Sequence, residues 1–298
     1  MRHHENFHQA IEAAWHQVPR LGHRVDPGRW QGVPTEGKPD LVTVELLNYS
    51  FQCPTIVERT FDDSYTQLGH LAHLIQPNLP WADDHFDERV SRVPSNPGEQ
   101  YKNWPWWNPV KQEVTAAHPD TGEQVVGDIS GLAASRELPG DFKFTHTYQE
   151  RIWAVQAMNL NQGRRMGIRY EYGDLDDLVQ LLLREPYTRQ AYLPIFFPED
   201  TGAVHGGRTP CTLGYHFLLR DNEFHMWYTI RSCDLVRHFQ DDIYLAARLQ
   251  LWVLAELVQA ELRSDHPQVW VDVRPGMFFF QAFSLHYHKG DEHYVRAR

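Results

Sequence analysis

The sequence predicts an α+β protein, and three observations carry that expectation. Apolar residues recur at helical spacing near the amino terminus, strand-like runs bounded by turn residues cluster in the last third, and one long segment is apolar on nearly every side, as suits a helix inside a core. With 298 residues, 42% hydrophobic and 13% aromatic, the chain can bury a substantial core. That excludes intrinsic disorder and a disulfide-stapled miniprotein. No internal repeat, low-complexity tract or linker divides it, so one unit over 1–298 is expected rather than two domains.

Phe7, Ile11, Ala14, Trp15 and Val18 share a helical face that Pro19 and Gly22 close, predicting a helix over about 5–18. Leu41 to Cys53 is rich in β-branched and large apolar residues and stops at Pro54, which reads as a strand. Residues 54–88 are helical in parts. Pro94, Pro97, Gly98 and the block Trp104-Pro105-Trp106-Trp107 then mark an irregular stretch of a length that is often functional. Leu175, Leu178, Leu181 and Leu182 predict a helix over about 174–184, and Ala191 to Phe197 reads as a strand. Two further strands, Thr212 to Arg220 and Glu223 to Ile230, flank Asp221-Asn222, a dipeptide suited to a tight hairpin turn. Asp242 to Leu262 is the all-round apolar helix, and Met277 to Phe283 is a last strand before a polar tail.

The formal charge is -11, from 28 basic and 39 acidic side chains. Sequence-independent binding to a nucleic-acid polymer needs a concentrated basic face and is not expected, whereas a small anion needs only a few placed arginines. Cys53, Cys211 and Cys233 are odd in number and form no CxxC pair, which fits neither a disulfide framework nor a structural zinc site. A reducing, cytoplasmic setting is expected. The polar start Met1-Arg2-His3-His4-Glu5 lacks the apolar run of a secretion signal, and no stretch reaches the roughly 20 uncharged apolar residues of a membrane span. The 18 histidines include His3-His4 and His286-x-His288, but no HExxH or Cys/His cluster accompanies them, so no metal is expected.

The densest chemistry lies in Thr209-Pro210-Cys211-Thr212, Ile230-Arg231-Ser232-Cys233-Asp234 and Gln240-Asp241-Asp242. A cysteine at a strand start can be a nucleophile where a cation stabilises its thiolate, and Arg231 sits one hairpin away; equally, Cys211 can be a small buried residue. Arg231 followed by Ser232 suits a phosphate, through a bidentate guanidinium grip and a hydroxyl donor. Asp242, directly before Ile243, also suits a helix N-cap.

Taken in order, these motifs resemble the thymidylate synthase superfamily. Pro210-Cys211 stands at a strand start, Arg231-Ser232-Cys233-Asp234 follows two strands later, and Asp242 takes the place of a nucleotide-reading residue before a buried helix. Asp141 to Trp153, with Tyr148, resembles the family's tyrosine segment. Glu185 to Arg189 resembles the segment that donates a phosphate arginine across the dimer, and Gly276 to His286 resembles the strand ending in a ribose-binding histidine. The resemblance is good over 141–288 and thin over 1–140. It implies a mixed β-sheet packed with helices and a sheet-mediated homodimer that binds a pyrimidine nucleoside monophosphate and a folate. Cys211, Tyr148 and Asp234 would be catalytic. Arg231, Ser232, His286, His288 and the neighbouring subunit's copy of Arg189 would hold the nucleotide, with Arg29 as a further phosphate contributor. Asp234, His238, Trp104 and Trp107 would surround the folate.

In thymidylate synthases the position of Asp242 is an asparagine whose amide pairs with uracil O4 and N3. A carboxylate offers acceptors instead, and the exocyclic amine of cytosine is a donor where O4 is an acceptor, so Asp242 suits cytosine, more so with a proton at N3. The same replacement marks the (deoxy)cytidylate 5-hydroxymethylase branch. The resemblance thus implies conversion of dCMP or CMP to the 5-hydroxymethyl nucleotide. The Cys211 thiolate attacks C6, C5 takes a one-carbon unit from 5,10-methylenetetrahydrofolate, and water adds under a positioned carboxylate, with Glu88 expected in that role and Glu99 as second choice. The alternatives are synthase-like methylation of dUMP and a catalytically retired member that binds a nucleotide or an RNA. Several positions depart from the synthase pattern: Gln190 replaces a second cross-dimer arginine, Thr212 a histidine, Ile230 a glutamine, His238 a glycine and His288 a tyrosine. The chain also ends soon after His288, so Trp104, Trp106 and Trp107 are expected to wall the folate instead.

Overall fold

The computed structural model describes residues 1–30, 33–56, 64–101, 103–106, 113–117, 124–128, 147–154, 156, 173–198, 200–201, 209–263 and 269–298. Along them run β1 (Arg2–His3), α1 (Phe7–Leu21), β2 (His23–Val25), β3 (Arg29–Trp30), β4 (Val33–Pro34), β5 (Thr43–Pro54), α2 (Ser64–Ile75) and α3 (Trp81–Val90). Then follow β6 (Glu113–Ala117), β7 (Gln124–Asp128), α4 (Tyr148–Ile152), α5 (Leu175–Arg184), β8 (Tyr192–Pro194), β9 (Thr212–Arg220) and β10 (Glu223–Asp234). Last come α6 (Phe239–Leu262), β11 (Arg274–His288) and α7 (Glu292–Ala297).

Alternation of large apolar with smaller or polar residues builds the central sheet, in the order β1-β5-β11-β10-β9-β8 with β2 added to β5. Parallel pairing of β10 with β11 needs a crossover, which α6 supplies; β9, β10 and β5, β11 pair antiparallel, so the sheet is mixed as expected. Tyr49 and Phe51 on β5, Phe278 and Phe280 on β11, Met226 and Tyr228 on β10 and Phe217 on β9 are all buried in the core that α1 and α6 cover. Phe280 stacks on Phe51 at 5.2 Å, and Phe7 meets Phe278 edge-on at 5.1 Å. Truncating such a ring costs about 3–5 kcal/mol. Among the described residues one helix, Phe239–Leu262, is long and apolar enough to cross a membrane, and most of it is buried in this core.

The elements differ from the expected bounds for local reasons. Helix α1 runs past Pro19 to Leu21, because a proline in the last turn removes a single N–H while Gly22 N–H still reaches Val18 O at 2.9 Å. The predicted strand 191–197 shrinks to Tyr192–Pro194, ended by the proline's missing donor. Asp221 and Asn222 both take positive φ, 50° and 58°, as a hairpin turn between right-twisted strands requires. Most important for chemistry, β10 extends through Asp234 and β11 through His288, so the motif residues lie on paired strands rather than in loops. Helix α6 starts at Phe239, which corrects the N-cap reading of Asp242: the cap position is His238, and Asp242 sits inside the first turn with its N–H on His238 O at 2.7 Å.

Candidate active site

Strand pairing builds one wall. Arg231 donates its N–H to Cys211 O (2.8 Å), Nε to Pro210 O (2.9 Å) and Nη2 to Thr209 O (2.9 Å), which pins the chain just ahead of β9. The same Nη2 lies 3.9 Å from Cys211 Sγ, placing a cation beside the half-buried thiol. Register sets Ser232 opposite Ser284 and Asp234 opposite His286. Asp234 is buried; Oδ1 accepts the N–H groups of Val236 (2.9 Å) and Arg237 (3.1 Å), while Oδ2 faces His288 Nε2 at 3.8 Å and Arg237 Nε at 3.9 Å. Burial lowers the His286 pKa against the opposing pull of Asp234. Asp234, His286 and His288 bring three possible ligand atoms within 4.8 Å of one another, yet the Arg237 guanidinium and two backbone N–H groups already serve the carboxylate.

Helices build the other wall. Thr147 caps α4 in a reciprocal box with Glu150, and Asn96 Nδ2 reaches the same Glu150 carboxylate at 3.0 Å. The buried Arg151 pairs with Asp200 at 2.8 Å and donates to Ile195 O at 2.7 Å. Tyr148 is thereby fixed at the first turn of α4, where its hydroxyl accepts the N–H groups of Cys211 (3.3 Å) and Thr212 (3.4 Å). Burial, then the neighbouring Cys211 and Asp242, push the phenol's pKa up.

Helix α3 lies over Tyr148. The Arg89 guanidinium carbon is 4.5 Å from the Tyr148 ring centroid, Arg89 Nε donates to His85 Nε2 at 3.0 Å, and Trp153 Nε1 donates to Arg89 O at 3.0 Å. Immediately before Arg89 and one turn from His85, Glu88 Oε2 accepts Gln100 N–H at 3.0 Å, and Oε1 faces His85 Nδ1 at 3.8 Å, too far for a full hydrogen bond. Burial alone would raise the Glu88 pKa, but His85, the Gln100 N–H and Gln149 together hold it below its ordinary value. Burial, then the Arg89 charge, drops the His85 pKa to about 4, so His85 is neutral at physiological pH. Gly98 lets the chain pass against the Glu88 carboxylate, where any Cβ would collide with it.

The adjacent aspartates have different fates. Asp241 spends both oxygens on Asn78, accepting its N–H at 2.8 Å and its Nδ2 at 2.7 Å. Asp242 instead faces Cys233, whose Sγ is 3.8 Å from Oδ2. Burial raises its pKa to about 7, opposed by Arg89 and assisted by Asp241 and Asp234. Nearby, His238 stacks on Trp104 (5.0 Å, 8° between planes), and Trp106 meets Tyr294 edge-on at 5.3 Å. Trp104 Nε1 is buried without a hydrogen-bond partner among the described residues.

Cys211, Tyr148, Arg231, Asp234, His286, His288 and Asp242 are thus linked by direct contact, register or electrostatic coupling, with Glu88 next to Arg89 on α3 and one turn from His85. Arg189 is not part of this cluster: it is exposed, and its carbonyl contacts His216 Nε2 at 3.1 Å. Glu99 is exposed. Trp107, the side chain of Arg29 and positions 141–146 lie outside the described residues. Sequence reasoning missed His85 and Arg89; their i, i+4 spacing on a helix was visible, but the ring they lie against comes from a segment more than 50 residues away.

No family model matches the chain, and no curated relative does. Among solved structures, a thermostable thymidylate synthase A from Bacillus subtilis matches over 98% of this chain and 83% of its own, with TM-score 0.50 and 12% sequence identity. The chain therefore has a thymidylate synthase-like fold, an α+β arrangement of a mixed sheet and helices.

Proposed function

We propose that the protein is a pyrimidine nucleotide C5 one-carbon transferase, and specifically a hydroxymethyltransferase that converts dCMP or CMP to the 5-hydroxymethyl nucleotide with 5,10-methylenetetrahydrofolate. The observation that carries this reading is the convergence on one spot of a thiol beside an arginine, the Tyr148 hydroxyl, and a buried carboxyl group. With a pKa near 7, Asp242 is substantially protonated at neutral pH. Its O–H then donates to cytosine N3 and its second oxygen accepts from the N4 amine, a match that neutral uracil does not offer.

The Cys211 thiolate attacks C6, the C5=C6 pair shifts toward C4, and C5 becomes the nucleophile for a one-carbon unit that the folate supplies at the oxidation level of formaldehyde. Glu88, kept ionised, accepts a proton from the water that adds to the resulting exocyclic methylene. Ser232 and the free edge of Arg231 serve the phosphate, assisted by Arg29; His286 and His288 serve the sugar. Asp234, His238 and Trp104, whose stacked face and unpartnered Nε1 suit a flat polar ring, receive the pterin, together with Trp107. The whole chain acts as one unit within a cytoplasmic homodimer formed through the outer sheet face. There Trp227 stacks on Phe279 at 4.0 Å, Leu47 and Phe283 are exposed, and Arg189 is free to reach the neighbouring site. Incubation with [5-³H]dCMP, CMP and dUMP plus methylenetetrahydrofolate tests the reading. Tritium release with a cytosine nucleotide and a product 30 mass units heavier (about, for CH2O) support it, and no release from any of the three refutes it.

A further inference from the structure

Two polar groups beside Glu88 are left half-used. His85 Nε2 accepts Arg89 Nε at 3.0 Å, and because that guanidinium nitrogen can only donate, the imidazole carries its proton on Nδ1. Nδ1 is buried, faces Glu88 Oε1 at 3.8 Å and has no hydrogen-bond partner among the described residues. A donor and a carboxylate one helical turn apart would ordinarily close such a gap. Here each is anchored elsewhere: the His85 ring stacks on Trp81 (4.9 Å, 21° between planes) and is tied to Arg89, while Glu88 Oε2 is held by the Gln100 N–H at 3.0 Å. Gln149 adds a second orphan donor. It is 2% exposed, its Oε1 accepts Ser95 Oγ at 3.3 Å, and its Nε2, near enough to help lower the Glu88 pKa, has no hydrogen-bond partner among the described residues. Buried donors in excess of acceptors call for an oxygen that the chain does not supply.

We propose that His85 is a positioning residue: its Nδ1–H and the Glu88 carboxylate hold one water between them, and that water is the one that adds to the exocyclic methylene. The proposal rests on the hydroxymethyltransferase reading, which names Glu88 as the base and leaves the water unplaced. A water about 2.8 Å from both atoms spans their 3.8 Å separation where a direct bond does not. It accepts the His85 N–H with one lone pair and gives one hydrogen to Oε1, so its other lone pair is available to the carbon. In the addition step the oxygen bonds to the exocyclic carbon, the methylene π pair moves into the ring toward C4, and the water's proton passes to Glu88. Expulsion of the Cys211 thiolate from C6 then restores C5=C6, with no oxidant or reductant consumed. His85 does not compete for that proton, because its one lone pair is already taken by Arg89. Gln149 Nε2 then has the new hydroxyl oxygen as an acceptor.

The test separates water addition from the steps before it. A methylene that no water meets is open to an added thiol, so a reaction run with 2-mercaptoethanol divides between hydroxymethyl and thioether nucleotides, while tritium release from C5 counts every adduct that reaches the methylene. His85→Phe keeps a ring against Trp81 and donates nothing; its ratio of hydroxymethyl product to released tritium is expected to fall by about 10²-fold, the cost of a misplaced reactant, with thioether taking its place. His85→Gln, which can accept from Arg89 and still donate toward Glu88, should hold the ratio within about 10-fold of wild type. A merely structural role would slow both signals alike, so an unchanged ratio in His85→Phe overturns the proposal. Should the variants fail to fold, a crystal structure of the wild-type protein decides: a water within hydrogen-bond distance of both His85 Nδ1 and Glu88 Oε1 supports the proposal. A dry gap overturns it, even for an enzyme that makes hydroxymethyl nucleotide. A wild-type protein inert on dCMP, CMP and dUMP instead refutes the hydroxymethyltransferase reading, and the role given to the water with it.

Discussion

The two walls of the site are built by different physics. The wall of β9, β10 and β11 places Cys211, Arg231, Ser232, Asp234 and His286 by backbone hydrogen bonds: once the hairpin at Asp221-Asn222 forms and α6 returns the chain parallel to β10, register decides which residue faces which. The wall of α3, α4 and the first turn of α6 places Glu88, Arg89, Tyr148 and Asp242 by side-chain packing and buried polar links drawn from segments far apart in sequence. Charge on the strand wall is satisfied by backbone groups and ion pairs. On the helical wall it is left uneven, with a neutral His85, an Arg89 without an ion-pair partner among the described residues, and an aspartate near half-protonation. The thiol beside an arginine thus belongs to the first wall, and the groups with shifted pKa values, His85 and Asp242, to the second.

The largest effect should come from the strand wall. Cys211→Ala removes the attacking atom, and tritium release from C5 is expected to fall by at least about 10⁴-fold while folding is retained, since Cys211 is only half-buried and its backbone links to Arg231 and Tyr148 remain. A variant that still releases tritium at a tenth of the wild-type rate would break the assignment of nucleophile to this wall.

Next in size is the base reader. Asp242→Asn exchanges an ionisable carboxyl for an amide that offers uracil both a donor and an acceptor, and preference measured as the ratio of kcat/KM for dCMP over dUMP should drop by about 10²-fold or more. In the wild type, kcat/KM for dCMP should also decline as pH rises through about 7, where the carboxyl loses the proton that N3 requires. An unchanged ratio after substitution would move base recognition away from this residue.

A smaller effect separates geometry from stability on the helical wall. At Gly98 an added Cβ meets only the far end of the Glu88 side chain, which can swing aside without disturbing backbone. Gly98→Ala should therefore leave the thermal midpoint within a degree or two (about, by the scale of surface substitutions) but lower hydroxymethyl product formation by about 10-fold, as the base drifts from its position. Loss of stability without loss of product would show that Glu88 serves the fold alone.

The difference between the walls also explains what could be read in advance. Cys211, Arg231, Asp234 and His286 were legible because each occupies a place in a short motif whose strands pair locally or through one crossover. Asp242 stands out in sequence beside Asp241, but its place in the helix is not legible there: Phe239 extends the apolar face of α6 by one turn and makes His238 the cap. The contacts of His85 and Arg89 were not legible, because the Tyr148 ring they meet comes from a segment more than 50 residues on, and Asp83 and Asp87 of the same helix turn to Arg248 instead. Strand ends were similarly hidden: nothing local distinguishes Phe283 from His288 as a terminus, and pairing with β5 as far as Thr43 carries β11 onward.

The smallest effect is thermodynamic and concerns Asp242 without any ligand. Below the unfolded-chain pKa of 3.8 the carboxyl is protonated in both states, and burial carries no penalty from ionisation. Between 3.8 and about 7 the unfolded chain releases the proton while the folded protein keeps it, so this group's contribution to stability falls with each pH unit and levels off once the folded carboxyl has also ionised. Asparagine does not titrate. The thermal midpoint of Asp242→Asn minus that of wild type should therefore climb by roughly 5–10 °C (about 2 °C per kcal/mol, the low end for a protein of this size) between pH 4 and pH 8, then stay level. A difference independent of pH would mean that Arg89 holds Asp242 ionised in the resting protein. The carboxylate would then be a fixed partner of the guanidinium, and the contrast between a charge-balanced strand wall and a charge-poised helical wall would fail at its centre.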